Sequence, residues 1–159
     1  MKKNSTIPKA LAFLGLIAVC VACYFVIRNA NEKKEEEDRL QEIQEVGALP
    51  NMSININGKI YTAKTEVSRA SQKLLEEFPL EVQMERKGRF ISGYTYFKLP
   101  TEPRKIKNIK KGDIIIIDDS HIGIAIDSFE TSQRYTLIGH IDNLKDVPKD
   151  NIIVGFNKK

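Results

Sequence analysis

The chain has 159 residues and a formal net charge of +4, with 42% hydrophobic and 29% charged residues. Its two cysteines, Cys20 and Cys23, stand inside one apolar run. That placement excludes a disulfide framework, a cysteine metal site and a thiol catalyst from the remainder. Lys and Arg alternate with Glu and Asp along residues 51–159, so the one-sided basic face that nucleic acid requires is not predicted.

Residues 1–9 carry Lys2, Lys3 and Lys9 without an acid and read as a cytoplasmic tail. Residues 10–27 (ALAFLGLIAVCVACYFVI) are uncharged. As a helix they extend about 27 Å, which predicts a transmembrane span held in the lipid bilayer. Bases precede the span and acids follow it, so the positive-inside rule sets the C-terminal domain on the extracytoplasmic side of a cell membrane. No small-residue cleavage site follows Ile27, which favours a retained signal-anchor of a single-pass protein over a removed signal peptide. Cys20-Val21-Ala22-Cys23 is a poor lipobox, because Cys20 stands where a larger aliphatic is usual. Lipoprotein processing at Cys23 is the rival reading, with palmitoylation a minor one.

Residues 28–50 form a charged stalk, rich in helix formers and with i,i+4 pairs such as Lys33 and Glu37. Leu40, Ile43 and Val46 make a short apolar stripe on it, and Gly47 and Pro50 end it. The globular part, residues 51–159, opens with two alternating runs around Asn57-Gly58, the strongest short hairpin signal. Val67, Ala70, Leu74, Leu75 and Phe78 then recur at helical spacing, and Pro79 stops that helix. Residues 80–85 and 93–99 alternate again, and Ile114 to Ile117 suit a strand buried on both faces. Residues 121–127, 136–141 and 152–156 supply further strands. Seven or eight short strands with one short helix predict a mainly β fold, a closed barrel or compact sandwich.

The order of these features resembles a bacterial cyclophilin-like domain family. The resemblance is carried by Ile54-x-Ile56-Asn57-Gly58-Lys59-x-Tyr61-Thr62-Ala63, Phe78-Pro79-Leu80, Lys98-Leu99-Pro100 and Lys111-Gly112-Asp113-Ile114. It continues through Ile122-x-Ile124-x-Ile126 and Leu137-Ile138-Gly139-His140-Ile141, and covers residues 52–156. It implies a β-barrel of cyclophilin type with a helix plugging one end. Prolyl isomerases of that type use a Phe-His-Arg arginine and a Gln-Met-Phe strand. Here Val82-Gln83-Met84-Glu85 is a partial echo with Glu85 in the aromatic's place, and Phe-His-Arg is absent, so no catalytic residue is assigned.

His121 and His140 lie beside Asp118, Asp119 and Asp142 but lack metal-ligand spacing with each other, so no metal and no cofactor is predicted. Residues 105–111 form a basic stretch, read either as a solvated loop or as a contact for anionic headgroups or wall polymer. The best binding candidate mixes cations with aromatics: Arg86, Arg89, Tyr94 and Tyr96, joined by His121 as a speculative cleft. The functional expectation is a membrane-tethered, extracytoplasmic, non-enzymatic binding or interaction module with a peptide or envelope-protein partner. The alternative is a peptidyl-prolyl isomerase acting on exported proteins.

Overall fold

The computed structural model describes residues 9–159, with the backbone alone for residues 9–18 and Lys105. It divides into two units, Met1–Gln41 and Glu42–Lys159.

The first unit holds most of a long helix, α1 (Lys9–Val46). The predicted transmembrane span is corrected here: among the described residues, no helix is long and apolar enough to cross a membrane. The described side chains begin with Val19, so only residues 19–27 of the expected span contribute apolar surface before Arg28. Glu32, Lys33, Lys34 and Glu35 follow within two turns, more charge than a hydrocarbon-spanning window tolerates. The first half of that span, and the tail before it, lie outside the described side chains. The signal-anchor, single-pass and cell-membrane readings, with the extracytoplasmic placement built on them, therefore lose their support. Residues 19–41 are exposed throughout. Surface pairs such as Arg28–Glu32 at 3.0 Å and Lys33–Glu37 at 4.0 Å add only tenths of a kcal/mol.

The second unit begins with the last helical turn and continues into β1 (Met52–Ile56), β2 (Lys59–Thr65) and α2 (Arg69–Glu76). Then come β3 (Leu80–Lys87), β4 (Phe90–Tyr94), β5 (Arg104–Lys105), β6 (Asn108–Ile109) and β7 (Asp113–Asp118). The chain ends in β8 (His121–Ala125), β9 (Phe129–Glu130), β10 (Arg134–Ile141) and β11 (Ile152–Lys158). Eight of these strands form a ring in the order β2-β1-β11-β3-β4-β8-β7-β10, and β10 returns to β2 through Gly139 opposite Thr65 and Ile141 opposite Ala63. Closure leaves no edge in the ring, as expected for a barrel. β5 extends β10, and β6 pairs with β9 in a separate ribbon.

Alternation decides which side chains fill the ring. Ile54, Val82, Met84, Ile91, Ile122, Ile124 and Phe156 point inward and are buried. Each contributes about 1.5–3 kcal/mol by leaving water. The four isoleucines of β7 divide: Ile114 and Ile116 enter the main core, while Ile115 packs outside the barrel with Ile109, Ala125 and Tyr135. The β6–β9 ribbon covers that second cluster, so the strand is buried on both faces as its sequence suggests. Ile117 lies beyond this cover and is exposed.

The hairpin at Asn57-Gly58 forms as its sequence predicts, with φ of +46° and +86°. Asn57 does more than turn the chain. Its amide donates to Asn151 O at 2.9 Å, and its Oδ1 accepts from Ile153 N at 2.7 Å, clamping the start of β11. Asn57→Ala removes both bonds and puts alanine in a left-handed position that asparagine tolerates better. We expect a loss of about 2 kcal/mol, read as a lower denaturation midpoint. A loss below half that value would mean that the clamp contributes nothing.

α2 closes one mouth of the barrel with Ala70, Leu74 and Leu75, all buried. Ser68 caps it by accepting from Ser71 N at 3.0 Å, and Ser71 Oγ donates to Ile138 O at 3.1 Å. The connection from β10 to β11, residues 142–151, lies at the opposite mouth and inserts Leu144, with Val147 packed on the core.

The strand expected across residues 93–99 stops at Tyr94. Its neighbour β8 starts at His121, opposite Tyr94, so no ladder partner exists beyond that point. Thr95–Leu99 instead hangs on the β7–β8 turn, through Thr95 N to Ser120 O at 2.8 Å and Leu99 N to Asp119 O at 2.6 Å.

Candidate functional site

The register of β4 on β8 brings Tyr94 and His121 together as direct cross-strand partners at the α2 end of the barrel. Their rings stack, with centroids 4.2 Å apart and planes 14° from parallel. His121 is 8% exposed and Tyr94 is 65% exposed, so the tyrosine presents its outer ring face to solvent above a buried imidazole. Tyr96, two residues on, is 79% exposed, and its ring meets Phe97 edge-on with centroids 5.0 Å apart. Thr95 between them is buried, its hydroxyl donating to Phe97 O at 2.7 Å.

The imidazole is poorly served. Its Nε2 is buried without a hydrogen-bond partner, and its Nδ1 lies 3.8 Å from Asp118 Oδ2, beyond hydrogen-bond reach. An unsatisfied buried polar atom costs about 1–3 kcal/mol. The turn beneath is rigid: Asp118 Oδ1 accepts from Ser120 N at 3.1 Å, and Lys98 Nζ lies 2.7 Å from Asp119 Oδ2. The hydrogen bond from the Lys98 ammonium, then its charge, holds the Asp119 carboxyl below the usual carboxylate range.

Arg86 and Arg89 lie elsewhere. The five residues of β4 rise about 3.4 Å each, which puts roughly 14 Å between Phe90 and Tyr94. Arg86 pairs with Ile91 and Arg89 follows β3, so both are at the far end. There the Arg89 guanidinium lies 5.1 Å over the Phe129 ring, while Arg86 borders a recess at the barrel mouth. The structure thus stacks Tyr94 on His121, with Tyr96 two residues further along the chain, and separates them from the two arginines. Of the partial isomerase echo, Met84 fills the barrel interior and Gln83 faces solvent.

His140 belongs to a different arrangement. Its Nδ1 is 2.8 Å from Asp113 Oδ1, and Asp113 Oδ2 accepts from Lys110 N at 2.7 Å. Asp113 is buried, so this pair fastens the turn before β7 to β10. Among the described residues, no group of three or more His, Cys, Asp and Glu side chains is placed to hold a metal ion.

Sequence reading missed one charged cluster altogether. Glu42, in the last turn of α1, is 6% exposed. Its Oε1 accepts from Arg69 N at 2.8 Å and its Oε2 from the Arg104 guanidinium, which also faces Glu102 at 3.8 Å and Glu66 at 4.0 Å. Burial, then the hydrogen bond and charge of Glu42, push Glu102 up to about 7. Burial opposes ionisation of Glu42 as well. The hydrogen bond from Glu102, the Arg69 amide and the charges of Arg104 and Arg69 outweigh it and hold Glu42 below the usual carboxylate range. Of the two coupled carboxyls, Glu102 therefore takes up its proton first as the pH falls. Nothing in the sequence singled out Glu42 from the other acids of the stalk.

An eight-stranded antiparallel ring with a helix across one mouth is a barrel of cyclophilin type. A model of the cyclophilin-like family matches residues 54–156, from β1 to β11. The chain belongs to this cyclophilin-like family. No curated protein matches the chain. A solved structure described as McbB in complex with tryptophan is similar at 14% identity and a TM-score of 0.44, over 68% of this chain. The similarity spans 44% of that longer chain.

Proposed function

We propose that this cyclophilin-like barrel is a binding module whose docking face is the Tyr94–Tyr96–His121 surface, and that its partner is an extended peptide segment. The observation that carries the reading is an exposed tyrosine stacked on a buried histidine with an unpaired Nε2. Exposed tyrosines supply large contact area at low cost in side-chain entropy. A peptide offers apolar or planar side chains to lie on the exposed rings of Tyr94 and Tyr96. The Ser120 and Asp119 carbonyls already tie down residues 95–99, so the face is held in place before anything binds.

Selection of a random peptide library on the full chain tests this. Bound peptides should lose at least about tenfold in affinity for Tyr94→Ala and for Tyr96→Ala, both exposed enough to leave the barrel folded. Peptides that bind the double variant as tightly as the parent would overturn the assignment of this face.

A further inference from the structure

We propose that the barrel mouth opposite α2 is a binding site for a small phosphomonoester, one carrying only a few carbon atoms. The mouth is built by the same alternation that fills the core. Arg86 is the cross-strand partner of the fully buried Ile91, so it stands on the inward row of β3 where that row reaches the rim. Ile126 continues the inward row of Ile122 and Ile124, is 5% exposed, and forms the floor together with Val147. Between floor and rim is a recess of about 290 Å³. Lys111 enters from the turn before β7, and Lys145 and Lys149 from the connection that covers the mouth.

The charges do not balance. Four cations line the recess against two acids, Asp127 and Asp146. Asp146 is committed to Lys111 at 3.7 Å. Among the described residues, Arg86, Lys145 and Lys149 make no ion pair. Like charges around one concave surface add up to a positive potential, which a dianion relieves. The excess of two positive charges matches a phosphate monoester near neutral pH. The Arg86 guanidinium is the group that grips phosphate oxygens two at a time, with lysines adding charge from the sides. Ile126 and Val147 give the ester's carbon atoms an apolar seat, and Asp127 can accept a hydrogen bond from a hydroxyl on them. The volume lies at the lower limit of small-molecule pockets, which is why the proposed organic part is short.

Titration of the full chain with glycerol 3-phosphate at low salt, followed by methyl and amide NMR, tests the proposal. The ester should shift the Ile126 and Val147 methyl signals in a saturable way, and binding should weaken as salt rises. Arg86→Gln and Lys149→Gln should each raise the Kd at least about fivefold, while Lys33→Gln on the exposed helix leaves it unchanged. Thermal melts check that the rim variants remain folded. Absence of saturable shifts at Ile126 and Val147 at millimolar ester would overturn the site. So would a Kd unchanged from the parent's in both rim variants. Inorganic phosphate binding as tightly as the ester would overturn the organic part of the assignment.

Discussion

Replacing Gly112 with alanine should destabilise the barrel by about 3 kcal/mol, the sum of a backbone cost and a packing cost. Gly112 has φ +100°, a region that side chains with a Cβ rarely adopt. It also sits where three strands converge. Its N–H donates to Ala125 O at 2.8 Å, and its carbonyl accepts from Ile141 N at 2.8 Å. A Cβ there would stand 2.3 Å from Ile141 O, a backbone atom fixed by the β10 ladder. Neither side can retreat without breaking a hydrogen bond. Gly58 provides the control, since it has φ +86° with nothing within 4 Å of a Cβ. Gly58→Ala should therefore cost only about 1 kcal/mol. Denaturant midpoints with unchanged slopes would read both values. Equal losses in the two variants would show that close approach at Gly112 plays no part.

The second large effect lies in the Glu42 cluster. Glu42→Ala should cost about 3 kcal/mol, because it leaves the Arg104 guanidinium short of a partner and the Arg69 amide unpaired. The same cluster sets a pH dependence. Glu102 has a folded-state pKa of about 7 against an ordinary 4.5, so it binds its proton more tightly in the folded chain. Its contribution is complete below about 4.5 and is lost as the pH rises to about 7. Glu42, with its carboxyl held low, contributes in the opposite sense: present above the ordinary range and lost as the pH falls through its folded value. Glu42→Gln removes the Glu42 contribution and the charge that raises Glu102, while burial of Glu102 remains. Side-chain carboxyl NMR should then show Glu102 titrating below about 7, since the Glu42 charge that raised it is gone while Arg104 and Arg69 remain. An unchanged Glu102 titration in Glu42→Gln would refute the coupling of the two carboxyls.

The barrel was legible wherever a local rule and the global fold agree. Asn57-Gly58 needed only positive φ at two positions, and α2 needed only helical spacing and a terminating proline. Interior residues were legible from alternation, because each strand has one face on the core. What resisted reading was pairing across sequence. Tyr94 and His121 meet only because β4 and β8 are neighbours in register, which no local pattern records. Arg86 and Arg89 look like one motif, yet a strand end and a turn send them in different directions. The N-terminal apolar run misled for a related reason. A stretch of uncharged residues was taken by itself, whereas the described part of the helix carries its charges within two turns of the apolar residues. Glu42 was hidden because composition cannot tell one buried acid from the exposed acids around it.

Met52 pairs with Lys158, and Lys159 N reaches Asn51 O at 3.2 Å, so the first and last strands of the ring lie side by side. The ring therefore has no seam. A short peptide joining residue 159 to residue 51, with the chain reopened at the solvent-facing Gly88 turn between β3 and β4, would route the backbone through the same eight ladders in a different order, giving up only the contacts of the segment before residue 51, Glu42 among them. The architecture is cyclic, and the linear order in which the strands are threaded is separable from the interactions that hold them.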